Sequence, residues 1–119
     1  MTAHHIEPGE PLIPRPERTP AALRVALAQV APHRLPDMER QKDEAIALAA
    51  RAGSLGPITQ FLETWAEAIE IARIPPAAAR LRSAEYTAQS VDRDNPAWRD
   101  AMNEIHTLHA RARESLVRE

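Results

Sequence analysis

His106 and His109 stand three residues apart near the end of the chain, and on a helix that spacing lets two imidazoles meet one metal ion. No third ligand accompanies them. Glu104 lies two residues before His106 and points to another side of a helix. Neither the Glu-x-x-His of di-iron bundles nor the His-Glu-x-x-His of zinc proteases occurs. The pair therefore reads as solvated or boundary histidines, and His4 and His5 offer at most weak chelation. Glu63, Glu67 and Glu70 recur at i, i+4 and i+7, on the side of a helix opposite Trp65. Paired carboxylates do acid–base work only in a cleft that raises one pKa. A stripe turned away from the core is expected to be solvated, or to serve as a docking surface for a basic partner. There is no glycine-rich phosphate loop, G-x-S-x-G elbow or Ser–His–Asp set. The lack of cysteine excludes thiolate zinc sites, iron–sulfur ligation, disulfides and Cys nucleophiles. The chain is read as a non-enzyme with no catalytic, metal or cofactor residue and no evident small-molecule substrate.

What remains is binding. Trp65 and Trp98 fall on apolar stripes, so core packing is their simplest role, with a partner interface as the competitor because tryptophan is enriched at binding hot spots. The candidate partner-binding residues are Phe61, Trp65, Ile69, Trp98, Met102 and Ile105. A bare P-x-x-P, Pro11-Leu12-Ile13-Pro14, is the weakest signal of this kind, since the pattern is common. Nucleic acid is the disfavoured alternative, through a degenerate helix-turn-helix at about 44–63. Ala49 lies four residues before Gly53, as in the first helix and turn of that motif, and Thr59, Gln60 and Glu63 would then point from the recognition helix. Ser54 follows the glycine where an aliphatic residue is usual, and residues 57–72 carry three glutamates and no basic residue, the wrong field for phosphate. Arg80, Arg82, Arg111 and Arg113 are the basic residues a dimer would have to use instead.

These residues need elements to hold them, and proline marks where the elements begin. Thr19-Pro20, Leu35-Pro36, Gly56-Pro57, Pro75-Pro76 and Asn95-Pro96 each place proline where a helix takes its first turn. Its missing N–H would be unpaired there anyway, and Thr19 and Asn95 can cap the free donors. The predicted helices run from about 20 to 31, 36 to 52, 57 to 73, 76 to 91 and 96 to 117. Pro32 ends the first. Asp37 and Glu39 suit the start of the second, Arg51 and Gly53 its end. The third has the strongest apolar period, through Ile58, Phe61, Leu62, Trp65, Ala68, Ile69 and Ala72. Leu81, Ala84, Ala88 and Val91 stripe the fourth. Trp98, Met102, Ile105, Leu108, Ala112 and Leu116 stripe the fifth. Residues 1–18, with Pro8, Pro11, Pro14 and Pro16, are expected to be a disordered tail, and residues 19–119 an all-α bundle of four to five short helices.

Composition agrees with helix. Of the 119 residues, 44% are hydrophobic, but 23 are alanine and only four are aromatic, which favours helix over strand and leaves few large side chains to bury. Such short helices gain order by packing on each other or on another chain, so a protein partner or a homo-oligomer is expected. A net charge of −2 argues against broad attraction to nucleic acid or anionic lipid. With no apolar run of spanning length and no signal-peptide core, a cytoplasmic chain without membrane association is expected.

Thr19-Pro20-Ala21-Ala22-Leu23, Ala31-Pro32, Met38-Glu39-Arg40, Leu55-Gly56-Pro57-Ile58 and Phe61-Leu62-Glu63-Thr64-Trp65 resemble a family of short actinobacterial proteins of unknown function, over most of residues 19–100. Related members look like the antitoxin-type half of small two-gene toxin modules, which implies protein binding without catalysis. Antitoxins commonly join a flexible toxin-wrapping segment to a dimerising or DNA-binding part. Here the flexible segment would be N-terminal, and no clear DNA-reading element accompanies it. The family brings no catalytic residues to carry over. A single lysine, Lys42, among many arginines fits a GC-rich genome.

Overall fold

The computed structural model describes residues 9–118. Among them are five α-helices, α1 (Pro20–Val30), α2 (Leu35–Ala52), α3 (Gly56–Ala72), α4 (Pro75–Ser90) and α5 (Pro96–Val117), with a 3-10 turn over Pro32–Arg34 and no strand. The all-α expectation holds, and each helix begins and ends within about a residue of its predicted bounds. Thr19 Oγ1 accepts the Ala22 N–H at 3.1 Å and Asn95 Oδ1 accepts the Ala97 N–H at 2.9 Å, so both proposed caps form. Gly53 closes α2 in the left-handed region at φ 64°, and the Ala49 carbonyl accepts both the Gly53 and the Ser54 N–H. A Cβ at Gly53 would meet nothing, so glycine is favoured there by backbone angle alone. Pro32 stops α1 as expected, and it also starts the 3-10 turn, in which the Arg34 N–H donates to the Ala31 carbonyl.

The chain forms two compact units, with the boundary at Glu70 inside α3. In the unit Ile13–Glu70, α1 packs on α2, and the buried side chains are Leu23, Ala26 and Leu27 of α1, Ala31, Met38, Ala45 and Ala49 of α2 and its approach, and Phe61, Trp65, Ala66 and Ile69 of α3. Each large apolar residue sealed this way contributes about 1.5–3 kcal/mol. At the rim, the Arg24 guanidinium pairs with Glu39 at 3.1 Å, which also takes Lys42. Among the described residues, the other unit contains Gly9–Leu12 and Ile71–Arg118. There α4 lies along α5, and Ile71, Leu108 and Ala112 form a buried cluster with Ala77 and Leu81 against it.

The tail expected over residues 1–18 needs correction where it is described. Residues 1–8 lie outside the described residues. From Gly9 to Arg18 the chain has no helix or strand, as its prolines dictate, yet it is not loose. The Leu12 N–H donates to the Arg73 carbonyl at 2.8 Å, just past the end of α3. Arg15 holds Glu70 with two bonds of 2.9 Å. A helix end has carbonyls in search of donors, and a buried carboxylate needs a cation; both needs hold this segment down.

Candidate functional site

The residues singled out for partner binding divide between the two units. In the unit Ile13–Glu70, Phe61, Trp65 and Ile69 stand four residues apart on α3 and all three are buried. The Trp65 ring is 1% exposed, its indole N–H donates to Gln41 Oε1 at 3.0 Å, and the Arg34 guanidinium lies 4.7 Å from the ring centroid. Its polar edge and its π face both have partners, so Trp65 is a fully built core residue in this chain. In the other unit Trp98, Met102 and Ile105 are half-buried on α5, and the Arg93 guanidinium stands 5.7 Å from the Trp98 ring. These three keep part of their apolar surface open to solvent, while Ala101, Leu108, Ala112 and Leu116 take the buried positions on the same helix.

Sequence reasoning missed other apolar surface. On α2 the buried seam is Met38, Ala45 and Ala49. At about 100° per residue, Ile46 and Leu48 each lie about 80° from that seam, on opposite sides. They remain 52% and 48% exposed, and Leu55 in the turn after α2 is 75% exposed. The covering helices reach the centre of the apolar face of α2 but not its shoulders. On a helical wheel of residues 35–52 Ile46 and Leu48 lie on either flank of the seam, with Lys42 between the seam's centre and Ile46 and Gln41 between it and Leu48.

The carboxylates of α3 do not share one environment. Glu63 is exposed and Glu67 half-buried, but Glu70 is 7% exposed and bonded to Arg15, so the solvated stripe expected over Glu63, Glu67 and Glu70 is corrected at its last member. The wheel places Glu70 opposite Trp65, but Ile69, Glu70 and Ile71 are buried in succession, so at that level burial is not confined to one face of α3. His106 is exposed and His109 half-buried. Among the described residues no group of three His, Cys, Asp or Glu is placed to hold a metal ion. Between α4 and α5 runs an open groove of about 300 Å³, floored by Ala84, Ala97 and Ala101 and bridged by Arg80 and Glu104 through two bonds of 2.8 and 2.9 Å. Ser83, Thr87 and Asp100 also line it.

No family model, curated protein or solved structure matches the chain. What it can do must therefore be argued from its own surfaces. α2 and α3 are joined through Gly53, Ser54 and Leu55, with Ala49 buried before the turn and Thr59, Gln60 and Glu63 exposed after it. Among the described residues no helix is long and apolar enough to cross a membrane.

Proposed function

We propose that this chain is a non-catalytic protein-interaction module that holds a partner protein or a second copy of itself. The observation that carries this reading is the pair of bare flanks of α2, where Ile46 on one side of the seam and Leu48 on the other stay half open in a chain with few large apolar residues to spend on its surface. Scattered exposed apolar side chains are ordinary, but one on each flank of a single buried seam, followed by Leu55, supplies anchor points that another protein can cover. The half-buried Trp98, Met102 and Ile105 are a second candidate patch, in the other unit. The narrower form of the proposal is an antitoxin-like partner of a small toxin, supported by the resemblance of residues 19–100 described above.

Light scattering across a concentration series, with and without the protein encoded by the neighbouring gene, tests the proposal. A mass above 13.2 kDa that Ile46→Glu and Leu48→Glu abolish without loss of helicity is the expected result. A monomer at every concentration that forms no complex with the neighbour's product refutes it. The second reading, a DNA-binding regulator, is favoured by the left-handed Gly53 turn with Ala49 buried before it. It is opposed by the lack of any basic residue over 57–72. A mobility shift of the promoter of its own operon at low salt would establish this alternative, and no shift there would remove it.

A further inference from the structure

We propose that the outward face of α2 is the contact for a second copy of this chain, laid antiparallel across it with Ala47 on the two-fold axis and Asp43 of each copy paired to Arg51 of the other. This rests on the interaction-module reading and commits it to one partner. Ile46 and Leu48 stand on opposite sides of the buried seam, so a single partner reaches both only by lying over the side of α2 that faces away from it. At about 100° per residue the centre of that side is Ala47, with Ile46 and Leu48 about 100° to either hand. Ala45-Ile46-Ala47-Leu48-Ala49-Ala50 is an unbroken apolar run between Glu44 and Arg51, and all of it but Ala45 and Ala49 is exposed. A helical stretch that is apolar all round is normally covered on every side, and alanine at the centre lets the axis of a second helix come close.

The charges of α2 select a second copy as that partner. Asp37 and Glu44 pair with Arg40, and Glu39 pairs with Lys42 and Arg24. Of the charged side chains on α2 this leaves Asp43 and Arg51, both exposed and both without an ion pair or side-chain hydrogen bond among the described residues. They stand one turn before and one turn after Ala47, about 6 Å along the axis in either direction. Read along α2 the order is negative, apolar, positive, and an antiparallel copy presents the reverse order, so the face is complementary to itself. Turned about a two-fold axis at Ala47, each Asp43 comes level with Arg51 of the other copy, whose long side chain closes the sideways offset between the two positions. The same rotation brings the two Ile46 side chains to one edge of the contact and the two Leu48 side chains to the other. A contact of one short helix face belongs to the weak, transient class, so the dimer fills at high protein concentration.

Sedimentation equilibrium of the full chain, carried up to millimolar concentration, is the test. The unaltered chain is expected to approach twice 13.2 kDa as its concentration rises. Asp43→Lys or Arg51→Glu alone sets like charges against each other at both ends of the contact and should weaken the dimer at least about tenfold. Mixing the two variants restores opposite charges at both ends, so the mixture should dimerise as the unaltered chain does, and so should the chain carrying both exchanges. A monomer throughout, single variants that dimerise undiminished, or a helical mixture that stays monomeric overturns the proposal. If an exchanged chain loses its helicity, the unaltered chain decides: carbon-13-labelled and unlabelled copies mixed together must show magnetisation transfer between their Ala47 methyl groups, and none overturns it. A monomer that still forms a complex with the neighbouring gene's product removes this inference and leaves the interaction reading standing, as does a dimer insensitive to both exchanges. A monomer with no such complex removes both.

Discussion

Trp65→Phe is the substitution that separates a core tryptophan from a binding one. An aromatic body remains in the site, but the 3.0 Å bond to Gln41 Oε1 disappears, a loss of about 0.5–1.5 kcal/mol. The missing edge of the indole leaves a void larger than a methyl group among neighbours that are themselves buried, costing about 1 kcal/mol. Phenylalanine is also a weaker face for Arg34, which stands 4.7 Å from the indole centroid, and that adds a few tenths of a kcal/mol, at about the lower end of such interactions. The expected total is about 2–3 kcal/mol. Against a stability of about 5–15 kcal/mol for a domain, the variant stays folded, while Trp65→Ala at about 3–5 kcal/mol approaches the limit. Urea unfolding followed by far-ultraviolet circular dichroism should show the midpoint falling by about 1 M, taking a slope of about 2 kcal/mol per molar. Gln41→Ala should cost markedly less in the Trp65→Phe background than alone, since its partner is already gone. A midpoint within about 0.2 M of the original would refute the assignment of Trp65 to the core.

Asn95→Ala and Thr19→Ala should each cost about 1 kcal/mol in the same titration by removing the bonds to the Ala97 and Ala22 N–H groups, whereas glycine at either position should cost only a few tenths. Gly53→Ala should cost about 1 kcal/mol through φ 64° alone, there being open space around its Cβ; no loss would mean the turn adapts. Glu39 titrates below the ordinary carboxylate range because Lys42 donates to it, with Arg24 adding to the effect against partial desolvation. Its pairing therefore favours the folded chain above the unfolded pKa and is lost as pH falls through the lowered one. Lys42→Gln should move the Glu39 carboxyl titration upward in a carbon-13 NMR series, and an unmoved titration would show that Lys42 does not set it.

The helices were legible because their boundaries are written in local chemistry. Proline in the first turn, Thr19 and Asn95 ahead of it, and Gly53 behind α2 each act within a few residues, so no tertiary knowledge is needed to place α1 to α5. The 3-10 turn over Pro32–Arg34 was not legible, since the same Pro32 that halts α1 also permits a tighter turn, and the sequence marks only the halt. Arg15 and Glu70 are 55 positions apart, and no periodicity links them. The helical wheel put Glu70 on a solvent side by assuming one covered face, whereas Ile69, Glu70 and Ile71 are buried in succession. For the candidate surface, the wheel found Phe61, Trp65 and Ile69 as one stripe but could not say that neighbours in the same chain would consume it. The exposed flanks at Ile46 and Leu48 were not legible, because Gln41 and Lys42 share that side of α2 and no local rule says how far a neighbouring helix reaches across it.

The two tryptophans fall on either side of the boundary at Glu70, Trp65 in the unit Ile13–Glu70 and Trp98 in the other. Each half of the molecule thus carries its own intrinsic fluorophore, one enclosed and one partly wet. With either indole replaced, the emission of the remaining one follows its own half alone, so coincident or separate melting of the halves can be read without any added dye.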